Sequence, residues 1–188
     1  MADNNTADVT ALKGVAGGYG FSAPAGTTAP TGYSSTLGSA FANMGFISSD
    51  GMEESIDADS EEVTDLNGEV VCVLESKETE KLTFTLISTT DDALKEMHGH
   101  ANVTTATSMT TVQHKAGSFT ERVYAFELLT KDGKKWRKVA PNAKVTSRGP
   151  IVHGAGNVYA REIELTCSPD ASGVRVYDYI QRGTSGGN

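Results

Sequence analysis

Few side chains in this sequence are of a type and spacing that could do chemistry. His98-Gly99-His100 sets two imidazoles two residues apart, which resembles half of a metal site. No cysteine or third histidine follows at the intervals a zinc centre uses, and a histidine at a helix end often only bonds the last carbonyls. The other two histidines, His114 and His153, stand alone. Glu53-Glu54 and Glu61-Glu62 are adjacent carboxylates, but neighbours on a strand point to opposite faces and cannot share one proton as a catalytic dyad does. Gly133-Lys134-Lys135 lacks the upstream glycine loop and the Ser or Thr of a phosphate-binding loop, and no Gly-x-Ser-x-Gly elbow joins a strand-like run to a helix-like one. The chain therefore reads as non-enzymatic, with no catalytic residue, no cofactor and no metal.

One run suggests nucleic acid. Lys131-Asp132-Gly133-Lys134-Lys135-Trp136-Arg137-Lys138 mixes positive charge with a ring that could stack on a base. The competing reading is a charged hairpin tip whose lysines block unwanted edge pairing. The whole chain favours the second, because its net charge of −8 repels phosphate. The charge is also uneven. Asp50 to Glu80 holds twelve carboxylates against the single Lys77, whereas Lys115 to Lys144 is mainly basic, so unlike faces of neighbouring copies would attract.

The elements that position these residues are strands. After residue 40 the pattern alternates with period two and is broken by turn residues at short intervals, which predicts a mainly β protein, an antiparallel sandwich or barrel. Leu82, Phe84 and Leu86 form one row; Tyr124, Phe126 and Leu128, then Ile163, Leu165 and Cys167, then Val174, Val176 and Ile180 form others. Val70, Cys72 and Leu74 alternate with Val71 and Val73, so that strand is expected to be covered on both faces. Cys72 and Cys167 sit where a small buried hydrophobe belongs, and a disulfide between them stays open. Asn67-Gly68 and Asp132-Gly133 predict two-residue hairpin turns with positive φ angles. Ser49-Asp50-Gly51, Lys115-Ala116-Gly117 and Pro169 to Gly173 are weaker turn marks. One helix is expected at about Thr90 to His98, started by Thr89 with Asp92 and stopped by Gly99, and a second short one at Ser35 to Asn43.

Three regions follow. Residues 1–40 are rich in Gly, Ala, Thr and Ser and read as a flexible arm; residues 41–181 hold the β domain; residues 182–188 are a tail. The arm's sparse apolar residues, Val9, Leu12, Val15, Tyr19 and Phe21, with Leu37 and Phe41 beyond them, are candidates for an oligomer interface that orders on contact. Deleting residues 1–30 is accordingly expected to leave a folded monomer unable to polymerise. No run approaches the roughly 20 apolar residues of a membrane span, and the start carries no basic or apolar leader, so the protein is expected to be made and kept soluble in a cytoplasm, with no membrane partner.

Several segments in order carry a family likeness. They are Gly45-Phe46-Ile47-Ser48-Ser49-Asp50-Gly51 with Glu54-Ser55-Ile56, Leu82-Thr83-Phe84-Thr85-Leu86-Ile87, Leu94-Lys95-Glu96-Met97-His98-Gly99, Arg137-Lys138-Val139-Ala140-Pro141-Asn142-Ala143-Lys144-Val145, and Glu164-Leu165-Thr166-Cys167-Ser168-Pro169-Asp170. Laid end to end they resemble the major tail tube proteins of phages with long non-contractile tails, particularly those infecting actinobacteria. The resemblance implies a β-sandwich with one flanking helix, hexameric rings stacked into a DNA-conducting tube, and arms or long loops bridging rings. It implies as partners the chain itself, the tape measure, distal tail and terminator proteins, and passing DNA without specific binding, in a virion tail assembled in the host cytoplasm. On that reading Glu53, Glu54, Asp57, Asp59, Glu61 and Glu62 form an acidic lumen along which phosphates slide. The alternative is a non-catalytic β-sandwich binding or virion-surface module, which would be a stable monomer.

Overall fold

The structure is a computed structural model and describes residues 9–115 and 119–182, leaving aside the side chains of residues 75–77. In chain order the strands are β1 (Leu12–Gly14), β2 (Gly20–Pro24), β3 (Ala42–Asn43), β4 (Ile47–Thr64), β5 (Val70–Leu86), β6 (Val103–Ala106), β7 (Met109–Val112), β8 (Arg122–Thr130), β9 (Lys135–Arg148), β10 (Arg161–Cys167) and β11 (Tyr177–Ile180). One helix, α1 (Asp91–His98), lies between β5 and β6. The fold is mainly β, with antiparallel pairing throughout, as the alternation predicts.

Nine strands share a sheet in the order β3-β2-β8-β9-β10-β5-β4, with β1 on β8 and β11 on β9; β6 and β7 form a separate hairpin. β9 organises the curl. One of its edges pairs with β8, while the other is divided between β11, over Trp136 to Val139, and β10, over Ala143 to Arg148. A register shift in β10 between Glu164 and Leu165 adds local twist. The sheet therefore folds back until β5 faces β8, and Phe84 meets Phe126 edge-on with ring centroids 5.4 Å apart. Around that pair lie Leu82, Leu86, Tyr124, Ile163, Leu165, Met44 and Met97, all buried. Each large apolar side chain so enclosed contributes about 2 kcal/mol of transfer free energy.

Several expectations change. Residues 12–24, set aside by composition as part of an arm, lie in the sheet: β1 and β2 pair with β8, and Ser22 and Ala23 are buried. Backbone hydrogen bonds supply what large side chains would, and small residues permit close approach; a Cβ on Gly14 would come within 2.6 Å of the Tyr19 ring. Residues 35–43 form no helix and end in the short β3. The N-cap of α1 is Thr90, whose hydroxyl accepts from the Ala93 amide, rather than Thr89. The loops at Asn67-Gly68 and Asp132-Gly133 are three-residue turns: only the glycines have positive φ, and Asp65 N–H to Glu69 O and Thr130 N–H to Lys134 O close the loops. Ser49-Asp50-Gly51 is a bulge inside β4, where the register jumps from Ile47–Leu86 to Met52–Phe84. The expected turn at Lys115-Ala116-Gly117 falls largely outside the described residues. Cys167 is buried but Cys72 is exposed, and both thiols are free.

Candidate assembly surfaces

β4 and β5 run far past the rest of the sheet. β10 accompanies β5 only from Leu86 to Glu80, so residues 57–79 form a two-stranded ribbon paired, among the described residues, only with itself. Val63, Leu66, Val70, Val71, Val73 and Leu74 are exposed on it, with Ile56 at its base, against the expected double cover. The strand is not covered because it outruns the body that would cover it. An isolated two-stranded ribbon is marginal in water, and this one carries an apolar strip along β5 opposite an acidic β4.

At the ribbon's base, buried Lys138 donates to Glu54 Oε2 at 2.8 Å and to Asp178 Oδ2 at 2.7 Å. Burial alone would depress its ammonium pKa, but the bonds to Asp178 and Glu54 outweigh burial and raise it. Trp136 Nε1 donates to the other oxygen of Asp178 at 2.5 Å. Glu80 lies beside Glu54, and burial together with that like charge pushes its carboxyl up to about 7. Burial also lifts the Cys167 thiol to about 12, which leaves it inert at neutral pH.

Arg137, next along β9, points to the opposite face. It pairs with Glu127 at 2.6 Å across the β8–β9 ladder and reaches Gly32 O, Ser35 Oγ and Ser35 O, clamping the segment that follows β2 against the sheet. The basic run Lys131 to Lys138 is thus divided: an exposed hairpin tip at Lys131 to Lys135, and two cations consumed internally.

Helix α1 is held by a buried carboxylate. Glu96 accepts from Ser22 Oγ at 2.5 Å and Tyr124 OH at 2.9 Å, lies 2.9 Å from His100 Nε2 and is 3.4 Å from Arg122 Nε. Burial alone would raise the Glu96 pKa, yet His100, Ser22 and Arg122 together bring it below the ordinary value. His98 and His100 therefore turn to different partners, His98 Nε2 meeting Tyr159 OH at 3.0 Å. Among the described residues no group of three or more His, Cys, Asp or Glu is placed to hold a metal, and no helix is long and apolar enough to cross a membrane.

The sequence-predicted interface residues differ in exposure. Val9 and Leu12 are exposed, whereas Val15, Tyr19, Phe21, Leu37 and Phe41 are half-buried within the subunit. The Tyr19 hydroxyl clasps Ile47, accepting from its N–H at 2.7 Å and donating to its C=O at 3.1 Å. Of the acidic set, Glu53, Asp57, Asp59, Glu61 and Glu62 are exposed along β4, and Glu54 is the ligand of Lys138. What sequence reading missed was the ribbon; the signal available was two strand-like runs far longer than the usual strand, flanking a single Asn-Gly turn.

A curled antiparallel sheet with a projecting ribbon and with β1 and β11 paired onto its middle strands defines a mainly β protein. The profile of the phage tail tube protein family matches residues 1–184, and the chain belongs to that family. Its role is accordingly structural, in the tail of a virion. Among solved structures, the anti-feeding prophage cap (AFP tube terminating cap), determined by cryo-EM, is similar over 94% of this chain and 98% of that one, at 15% identity and a TM-score of 0.45. No curated protein matches the chain.

Proposed function

We propose that this chain forms hexameric rings that stack into a hollow tube conducting DNA, with no catalysis and no cofactor. The observation that carries the reading is the β4–β5 ribbon: a self-paired hairpin exposing six large apolar side chains, as expected of a surface completed by neighbours. Closing rings also removes the free edges at β3 and β4, which an open sheet leaves as sites of aggregation. The tape measure, distal tail and terminator proteins would start, gauge and end such a tube. Assembly would take place in the host cytoplasm.

The exposed carboxylates nearer the base of β4, Glu53, Asp57 and Asp59, support an acidic lumen, since a wall of that sign lets phosphates pass without sticking. Glu53 is the residue to reverse, because Glu54 also holds Lys138 and its loss would disturb the ribbon base. Electron microscopy of the purified chain, alone and with a tail initiator, tests the tube directly. Cylinders are expected; monomers at high concentration with initiator present would sink the proposal and favour a monomeric binding module.

A further inference from the structure

Beyond α1 the described residues line an open pocket of about 410 Å³, formed by His98, Gln113, His114, Lys115, Arg148, Gly149 and Arg161. No carboxylate lines it, in a chain with eight more acids than bases. Its cations are poorly compensated from within. Among the described residues Arg148 and Arg161 donate to the carbonyl of Met97, at 3.4 and 3.0 Å, and Arg148 lies over the Phe119 ring at 4.8 Å. Arg161 Nε is buried without a hydrogen-bond partner among the described residues. An unpaired buried guanidinium N–H is costly, so the site is built for an anion that completes it. Burial, then the charges of Arg161, His114 and Arg148, drives the His98 pKa down to about 4, consistent with uncompensated positive potential.

The ribbon supplies the complementary charge. Ten residues of β5 beyond its last pairing with β10 extend roughly 30 Å at about 3.3 Å per residue, far enough to leave the subunit's own body. Several ribbon acids are engaged at home: Asp57 with Lys81, Glu78 with Arg175, and Asp65 with its own turn amides. Glu61 and Glu62 are exposed and make no hydrogen bond or ion pair among the described residues. They point to opposite faces of β4, so one is presented whichever face docks.

We propose that the His98–His114–Arg148–Arg161 pocket is the socket for the Glu61–Glu62 step of a second copy's ribbon. This rests on self-assembly, and the test separates the two. In tube assembly by the full chain, Arg148→Glu is expected to raise the critical concentration about tenfold while Arg148→Lys assembles normally, as charge at a rim-exposed site governs association more than folding. Combining Arg148→Glu with Glu61→Lys and Glu62→Lys should recover most of the loss. Circular dichroism melts of each variant guard against misfolding. Tubes from Arg148→Glu at the wild-type concentration overturn the socket and leave the tube standing, as does a triple variant no better than the single one. Inorganic phosphate that binds the pocket while leaving assembly unaffected identifies a free-anion site and also overturns it. A wild-type chain that never assembles overturns both.

Discussion

The Tyr124 hydroxyl of β8 donates to Glu96 of α1 at 2.9 Å, with both side chains shut away from water. That bond ties the helix to the strand at the centre of the curled sheet. The same carboxylate reaches Ser22 of β2, so one buried charge joins three elements widely separated in the chain. Burial raises the Tyr124 pKa, and the Glu96 charge raises it further, so the phenol stays a donor across the physiological range.

Replacing Glu96 by Ala should therefore lower stability by about 3 kcal/mol, because removing one partner of a buried ion pair strands the others. Calorimetry should register a fall of roughly 10 °C in Tm for a chain of this size. Tyr124→Phe, which deletes one hydrogen bond and keeps the ring, should cost about 1 kcal/mol. The folded pKa of Glu96 lies below its unfolded value, so its contribution is present above the unfolded pKa and is lost as pH falls through the folded one. Equal melting of Glu96→Ala and the parent at pH 7 would contradict this account.

Glu80 behaves in the opposite sense. Its folded pKa, about 7, stands above the ordinary value of 4.5, so the folded state binds the extra proton and stability declines as pH rises between those values. Because Glu54 and Glu80 interact, the proton belongs to the pair. Glu80→Gln should raise stability at pH 8 by roughly 1 kcal/mol after allowance for solvent screening, and change little at pH 4. Urea titrations at the two pH values compare these directly; a gain only at the lower pH would show the sign to be wrong.

How much could be read beforehand depended on which interactions carry an element. β5, β8 and β10 were legible because Leu82, Phe84, Tyr124, Phe126, Ile163 and Leu165 alternate toward one core, and side-chain periodicity records burial. β2 was not, because Gly20-Phe21-Ser22-Ala23 joins the sheet through its backbone and small side chains, which leave no apolar row. The helix was found from Thr90 to Gly99, but its anchor was not, since nothing local marks Glu96 as buried. The ribbon was mistaken for a covered strand because Val71 and Val73 look the same in sequence whether a neighbour lies within the chain or outside it. The pocket joins His98, His114, Arg148 and Arg161 from four separate stretches, a convergence that only the curl of the sheet creates.

The placement of β2 reverses the truncation expected from composition. Removing residues 1–11 leaves every pairing of β2 intact and should give a folded chain with nearly unchanged melting. Removing residues 1–30 strips β1 and β2 from β8, deletes Ser22 from the Glu96 site and exposes the Tyr124 and Phe126 strand edge. That longer truncation should be unfolded or aggregated by circular dichroism and gel filtration. A soluble, cooperatively melting 31–188 fragment would restore the arm as a dispensable extension.

The ribbon separates folding from assembly most cleanly. Val71 and Val73 are largely exposed on β5 past the last contact with β10, so Val71→Asp with Val73→Asp removes little buried area from the isolated subunit. Its melting should move by no more than about 0.5 kcal/mol, the usual range for surface changes. Tube formation should be lost, because burying two new carboxylates against a neighbour without partners costs several kcal/mol per contact, repeated around every ring. Sedimentation of the assembled fraction measures one property and thermal melting the other. Tubes that persist at the parent concentration would mean that the apolar strip stays in water, and that contacts elsewhere on the sheet hold the copies together.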